Sequence, residues 1–129
     1  MGLLIAWSVT VGLHADSFPY AQGGSFLGQV GDGYQSDAVQ PVAIAAGDVP
    51  KSIQLTRISA GGAHSVALGN DGKAYVWGGN TSGQLGDGTT VQRSRAVVVM
   101  SGDIPAGVSL QQVSAGGSHT LALGSDGKV

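Results

Sequence analysis

Cysteine is absent from the 129 residues, which removes disulfides, thiolate nucleophiles and Cys-ligated zinc in one step. That absence leaves the compartment open between cytoplasm and secretion, because secreted chains can lack Cys too. Charge is also scarce: 11% of residues are charged, with six Lys and Arg against eight Asp and Glu, a net charge of −2. The six basic residues are scattered, so the clustered cations that nucleic acid or an anionic membrane calls for are missing. The apolar opening Met1-Gly-Leu-Leu-Ile-Ala-Trp-Ser-Val-Thr-Val-Gly-Leu13 is shorter than the roughly 20 residues of a bilayer-crossing helix. It lacks the positive n-region of a signal peptide and reads as strand, so no membrane span is expected. Helical apolar spacing never persists for more than a turn. What the chain does hold is glycine, 23 residues of it, and 42% hydrophobic residues, enough for a core interrupted by many turns.

It also holds a repeat. Ser59-Ala-Gly-Gly-Ala-His-Ser-Val-Ala-Leu-Gly-Asn-Asp-Gly-Lys73 returns as Ser114-Ala-Gly-Gly-Ser-His-Thr-Leu-Ala-Leu-Gly-Ser-Asp-Gly-Lys128. Ile58 answers to Val113, a period of 55 residues, and the same offset runs backwards without a gap to Tyr20 under Tyr75. Gly28-Gln-Val-Gly-Asp-Gly33 lies under Gly83-Gln-Leu-Gly-Asp-Gly88, and Gly47-Asp-Val-Pro50 under Gly102-Asp-Ile-Pro105. Upstream of Tyr20 the copy degenerates. Asp16 still matches Asp71, but Ser8-Val-Thr-Val-Gly12 fits Ser65-Val-Ala-Leu-Gly69 only with Leu13-His14 as an insertion. The chain therefore divides into a worn first repeat with an apolar N-terminus (1–57), a complete repeat (58–112) and the opening of a third (113–129).

Within a repeat the pattern is β. His64-Ser-Val-Ala-Leu68 alternates toward Val66 and Leu68, and Asn70-Asp-Gly72 supplies a hairpin turn before Lys73-Ala-Tyr-Val-Trp77 returns. Arg95 to Met100 and Val108 to Val113 are further strand candidates rich in β-branched residues, separated by the turn cluster Gly102 to Gly107. About four short strands per repeat predicts an all-β chain of β-propeller blades.

The order Ser-Ala-Gly-Gly-x-His, then Asp-Gly-Lys-x-Tyr-x-Trp-Gly, then Gly-Gln-Leu-Gly-Asp-Gly-Thr resembles the repeat of the regulator of chromosome condensation family, bacterial members included. Here it is carried by Ser59 to Leu68, Asp71 to Gly78 and Gly83 to Thr89. The resemblance implies a propeller of about seven blades in which each repeat is split between neighbours. It also implies action through protein contacts, such as nucleotide exchange on the small GTPase Ran, chromatin binding, or clamping of an enzyme. The protruding loop and face residues of the exchange members are not located in this sequence, so that activity is not carried over.

The repeat signature residues Gly61, Gly62, His64, Asp71, Gly72, Trp77, Gly78, Gly83, Gly86, Gly116, Gly117 and His119 are expected to maintain the fold. His64 and His119 are the most enzyme-like, yet they occupy one position of successive repeats, as a framework residue does. Their rings are expected to satisfy backbone groups between blades, and Trp77 to plug an inter-blade core. Asp32, Asp71, Asp87 and Asp126 each precede Gly and read as turn formers, without calcium-loop spacing. No paired carboxylates, nucleophile elbow, phosphate loop or zinc pattern appears, so no catalytic residue, cofactor or metal is expected. Asn80-Thr-Ser82 fits a glycosylation sequon. Arg93 and Arg95 lie where the repeats diverge most and are the candidates for partner contact.

Two and a fraction repeats do not close a ring. Either the chain is a piece of a longer propeller, or copies associate and complete one another's blades as a homo-oligomer. The function expected is a non-catalytic protein-binding scaffold. The alternatives are a guanine nucleotide exchange or regulatory factor for a small GTPase, and an extracellular adhesion or sugar-binding propeller.

Overall fold

In the computed structural model the described residues are 3–5 and 9–13, as backbone, and 19–129. They form ten strands and no helix. The first sheet contains β1 (Leu3–Ile5), β2 (Val9–Leu13), β3 (Pro19–Gly23) and β4 (Ala38–Ala43), and the second contains β5 (Leu55–Ala60), β6 (His64–Gly69), β7 (Ala74–Gly78) and β8 (Arg93–Val98). Both are antiparallel meanders in chain order, while β9 (Leu110–Ala115) and β10 (Thr120–Gly124) form a two-stranded third sheet. The β-propeller reading of the sequence holds, with an incomplete ring. The first sheet has four strands among the described residues, the same number as the second.

The 55-residue register extends further upstream than the sequence suggests. Leu3, Leu4 and Ile5 pair with Gly12, Val11 and Thr10, as Ile58, Ser59 and Ala60 pair with Ala67, Val66 and Ser65. Val9 pairs with Gly23 as His64 pairs with Gly78. No insertion at Leu13-His14 is needed: Val9 occupies the histidine position, and backbone pairing keeps a register that the side chains have lost. His14 and Asp16 themselves lie outside the described residues.

Two strands are displaced from their expected positions. The one expected over 95–100 runs earlier, because Gly78 pairs with Arg93 while the Met100 N–H leaves the ladder for the carbonyl of Gly86 (2.9 Å). The one expected over 108–113 starts later, because the Val108 N–H is still held in the turn by Pro105 O (3.1 Å). The hairpin turn before β7 has Gly72 at φ +76°, with the Asp71 carboxylate accepting the Lys73 N–H (3.1 Å).

Every residue of β6 and β7 is buried, as befits strands covered on both faces by neighbouring sheets. One apolar cluster joins Ala21, Val30 and Ile44, on the first sheet and its loops, to Leu55, Ala67, Tyr75, Trp77 and Ala96 of the second sheet. Another joins Val66, Leu68, Val76 and Leu85 to Leu110 and, at its edge, Ala122 of the third sheet. The sheets therefore stack face to face through side chains, and the loops after β3 and β7 lend Val30 and Leu85, both fully buried, to the seams.

Candidate functional site

One of the two repeated histidines, His64, is built into the seam between the second and third sheets. Ser65 Oγ donates to the carbonyl of Gln29 (3.1 Å), and Trp77 Nε1 donates to the same oxygen (3.0 Å). One period later the Thr120 hydroxyl donates to the carbonyl of Gln84 (2.8 Å). That hydroxyl has only one proton, so the 2.8 Å contact between His64 Nε2 and Thr120 Oγ1 is an Nε2–H donating to oxygen. His64 is accordingly neutral with its lone pair on Nδ1, a buried atom without a hydrogen-bond partner. Burial, and next the nearby His119, push its pKa below the ordinary 6.5. The ring spans the seam: its Nε2 meets the Thr120 hydroxyl, and a backbone interaction with His119 opposes the downward pull on its pKa. His119 is itself exposed, its ring against Gly116.

The loop after β7 is organised by two buried polar side chains. Asn80, fully buried, donates through Nδ2 to the carbonyls of Thr89 and Val91 (each 3.0 Å) and to Asp87 (3.1 Å), and its Oδ1 accepts the Leu85 N–H (2.9 Å). The sequon asparagine is thus enclosed in the folded protein, leaving no approach for a glycan. Asp87 accepts from Thr89 and from Arg93 Nε (2.8 Å). Burial alone would raise its pKa, but the bonds from Thr89, Arg93 and Asn80 prevail and hold it at about 2. Asp71 plays the same kind of local part, taking the Tyr75 hydroxyl at 2.7 Å, and Asp32 and Asp126 accept the N–H groups of Tyr34 and Lys128.

The turn holding Gly61 and Gly62, between β5 and β6, meets its counterpart between β9 and β10: a Cβ on Gly61 would collide with the Gly116 carbonyl, and the Gly62 N–H bonds to that oxygen (3.1 Å). Gly78 needs its hydrogen for two reasons, φ +109° and a Cβ that would stand 2.6 Å from Ala63 O. Gly83 and Gly86 turn the loop with positive φ angles, and Gly117 faces open space.

The structure separates the two expected contact residues. Arg93 is tied to Asp87, whereas Arg95 is exposed and reaches the first repeat, its guanidinium lying over Gly33. On that same loop stand two aromatics that sequence reasoning passed over, Phe26 (79% exposed) and Tyr34 (67%). Their signal was available: they replace Thr81 and Thr89 of the next repeat, so the loop carries rings where the framework does not need them. Among the described residues no three His, Asp or Glu side chains are grouped to hold a metal, and no helix is long and apolar enough to cross a membrane.

The regulator of chromosome condensation (RCC1) repeat matches this chain twice, over 55–84 and over 71–123. The second match starts before β7 and ends in β10, so the family's repeat is indeed shared between neighbouring sheets. The chain is 42% identical over 85 residues to the mouse regulator of chromosome condensation, covering 63% of this chain and 18% of that one. It is 32% identical over 108 residues to the ultraviolet-B receptor UVR8 of Arabidopsis thaliana, covering 84% and 23%. To the human E3 ubiquitin-protein ligase HERC2 it is 41% identical over 71 residues, 54% of this chain and 1% of the ligase. Among solved structures, yeast Prp20p, described with its binding to Gsp1p and histones, superposes with a TM-score of 0.79 at 20% identity, over 96% of this chain and 30% of its own. Human WBSCR16 gives 0.74 at 24% identity, over 95% and 30%. The chain thus spans less than a third of each of these proteins. Two matched repeats that together cover more than half of it, on stacked four-stranded sheets, place the chain in the regulator of chromosome condensation repeat family.

Proposed function

We propose that this propeller segment is a non-catalytic scaffold that binds another protein through the loop after β3 and the adjoining Arg95. The observation that carries this reading is the division of labour among its side chains. His64, the turn aspartates and Asn80 are spent on seams and turns, while the side chains of Phe26, Tyr34 and Arg95 are exposed. Aromatic and Arg side chains are the residue types that anchor protein interfaces. The relatives support the same view, since one repeat type occurs in proteins named as a ligase, a light receptor and a chromosome condensation regulator.

The test compares affinity capture by the wild-type protein with capture by a Phe26→Ser, Tyr34→Ser, Arg95→Ala triple variant of unchanged circular dichroism. The proposal expects a partner recovered by the former and lost by the latter; equal recovery overturns it. Acceleration of nucleotide release from a small GTPase would replace it with the exchange-factor reading.

A further inference from the structure

The seam between the first and second sheets sets one free cation beside two exposed rings. Ser25 Oγ donates to the Tyr34 carbonyl (3.3 Å), which draws Phe26 and Tyr34 to the same part of the loop after β3. Next to Tyr34, the Gly33 N–H donates to the Ser94 carbonyl of β8 (2.8 Å), and the Arg95 guanidinium rests on this glycine. A Cβ on Gly33 would stand 2.9 Å from its Nη2, 3.1 Å from Cζ and 3.3 Å from Nε. Phe26, Tyr34 and Arg95 thus form one strip across the seam of two four-stranded sheets. The charge is particular to this seam, since Gln40 holds the position of Arg95 one period earlier. Among the described residues Arg95 has no hydrogen-bond or ion-pair partner, whereas Arg93 is neutralised by Asp87.

We propose that the partner presents an Asp or Glu carboxylate to Arg95, on an acidic segment whose apolar neighbours cover Phe26 and Tyr34; this rests on the scaffold reading above and names the chemistry of its partner. A guanidinium seated on a glycine keeps its fork of N–H groups for a two-point bond to a carboxylate. Two acidic side chains border it, Asp32 and Asp48, and each accepts a backbone N–H, from Tyr34 (3.0 Å) and Val98 (3.3 Å). One unpaired cation with two carboxylates nearby suits a singly charged ligand. A phosphate group, carrying about −1.5 to −2, would face the same single cation and repel both neighbours more strongly. Beside Arg95, an open hollow of about 340 Å³ lies between the turn at Gly47 and Asp48 and the strand β8, with room for the acidic side chain. The two rings supply apolar contact area next to the charge, the combination that anchors protein interfaces.

The test selects a displayed library of short random peptides on the intact chain. Enrichment of Asp or Glu beside an apolar residue is expected, and its loss when the selection is repeated on Arg95→Gln. The best peptide is then synthesised with its acid, the matching amide or phosphoserine at that position, labelled with fluorescein and titrated by anisotropy. The amide peptide is expected to bind about tenfold more weakly, and the acid peptide to lose as much on Arg95→Gln. Arg95→Lys should fall between, because it keeps the charge and loses the fork, and added salt should weaken the acid peptide more than the amide. The amide substitution is in the peptide, so that comparison does not depend on the folding of a variant. The inference is overturned by enrichment of neutral or basic peptides, by no enrichment at all, by acidic enrichment that Arg95→Gln leaves intact, or by tighter binding of the phosphoserine peptide. Neutral peptides that bind the wild type and not the Phe26→Ser, Tyr34→Ser, Arg95→Ala variant would sink this inference alone, whereas selected peptides that bind both equally would sink the scaffold surface as well.

Discussion

His64 keeps a neutral ring at a seam where a proton would bring a charge without a counter-ion, and this fixes the sign of a pH effect. Its pKa in the folded protein lies below the ordinary 6.5, so on acidification the unfolded chain binds the proton first. The stability this residue contributes is complete above pH 6.5 and declines as the pH falls toward the lower, folded value. Urea titrations at about pH 7 and about pH 5 are expected to show a loss for the wild type that His64→Gln does not share, since an amide donates without titrating. Asp87 acts in a separate window. At about 2 against an ordinary 3.8, it stabilises the fold above about pH 4 and loses that contribution as the pH falls toward 2. Asp87→Asn is expected to cost about 1–2 kcal/mol at neutral pH, because the Arg93 and Thr89 donors lose a charged acceptor while water still reaches Arg93. Denaturant midpoints at neutral pH and below pH 3 check it: the difference between Asp87→Asn and wild type should shrink in acid.

On the scale of the strand, Trp77 joins β7 to the loop after β3, and its two functions can be separated. Trp77→Ala empties a fully buried site and is expected to cost about 3–5 kcal/mol. Trp77→Phe retains most of the ring contact and loses only the indole N–H, while the Gln29 carbonyl keeps its bond from Ser65, so about 1–2 kcal/mol is expected from the same titrations. This strand was legible in advance: the alternation through Tyr75 and Trp77, the Asp-Gly turn before it and the 55-residue echo all point one way. Close packing at Gly61-Gly62 was legible too: a Cβ on either residue would press on the backbone of Gly116 or Gly117. β1 and β2 were harder to place, since Val9 replaces the histidine and the signature that marks the register is gone. Their pairing survives because ladder bonds come from the backbone, which carries no signature. The interaction surface was less legible still. Arg93 and Arg95 are equally basic in sequence, and only the Asp87 carboxylate at 2.8 Å tells the engaged one from the free one. Phe26 and Tyr34 stand out in the sequence only against Thr81 and Thr89 of the next repeat, and it is the loop's course that puts them in solvent.

Across the whole molecule, burial is graded from the middle outward, and opening should follow it. The second sheet is covered on both faces, whereas β10 has one buried residue, Gly124, and among the described residues pairs with β9 alone. Local opening free energies track buried apolar contact and the number of neighbouring strands. Amide hydrogen exchange is therefore expected to be slowest in β6 and β7, faster in β9, and fastest among the sheets' amides in β10. The His64 to Thr120 bond refines that order, because it ties the start of β10 to the stable sheet. If it holds the third sheet in place, His64→Ala should speed exchange in β9 and β10 by more than in β3 and β4, which the bond does not touch. Uniform acceleration would mean instead that His64 acts on the core as a whole. The contrast is readable in one experiment, since all four strands report on the same sample and share its global stability.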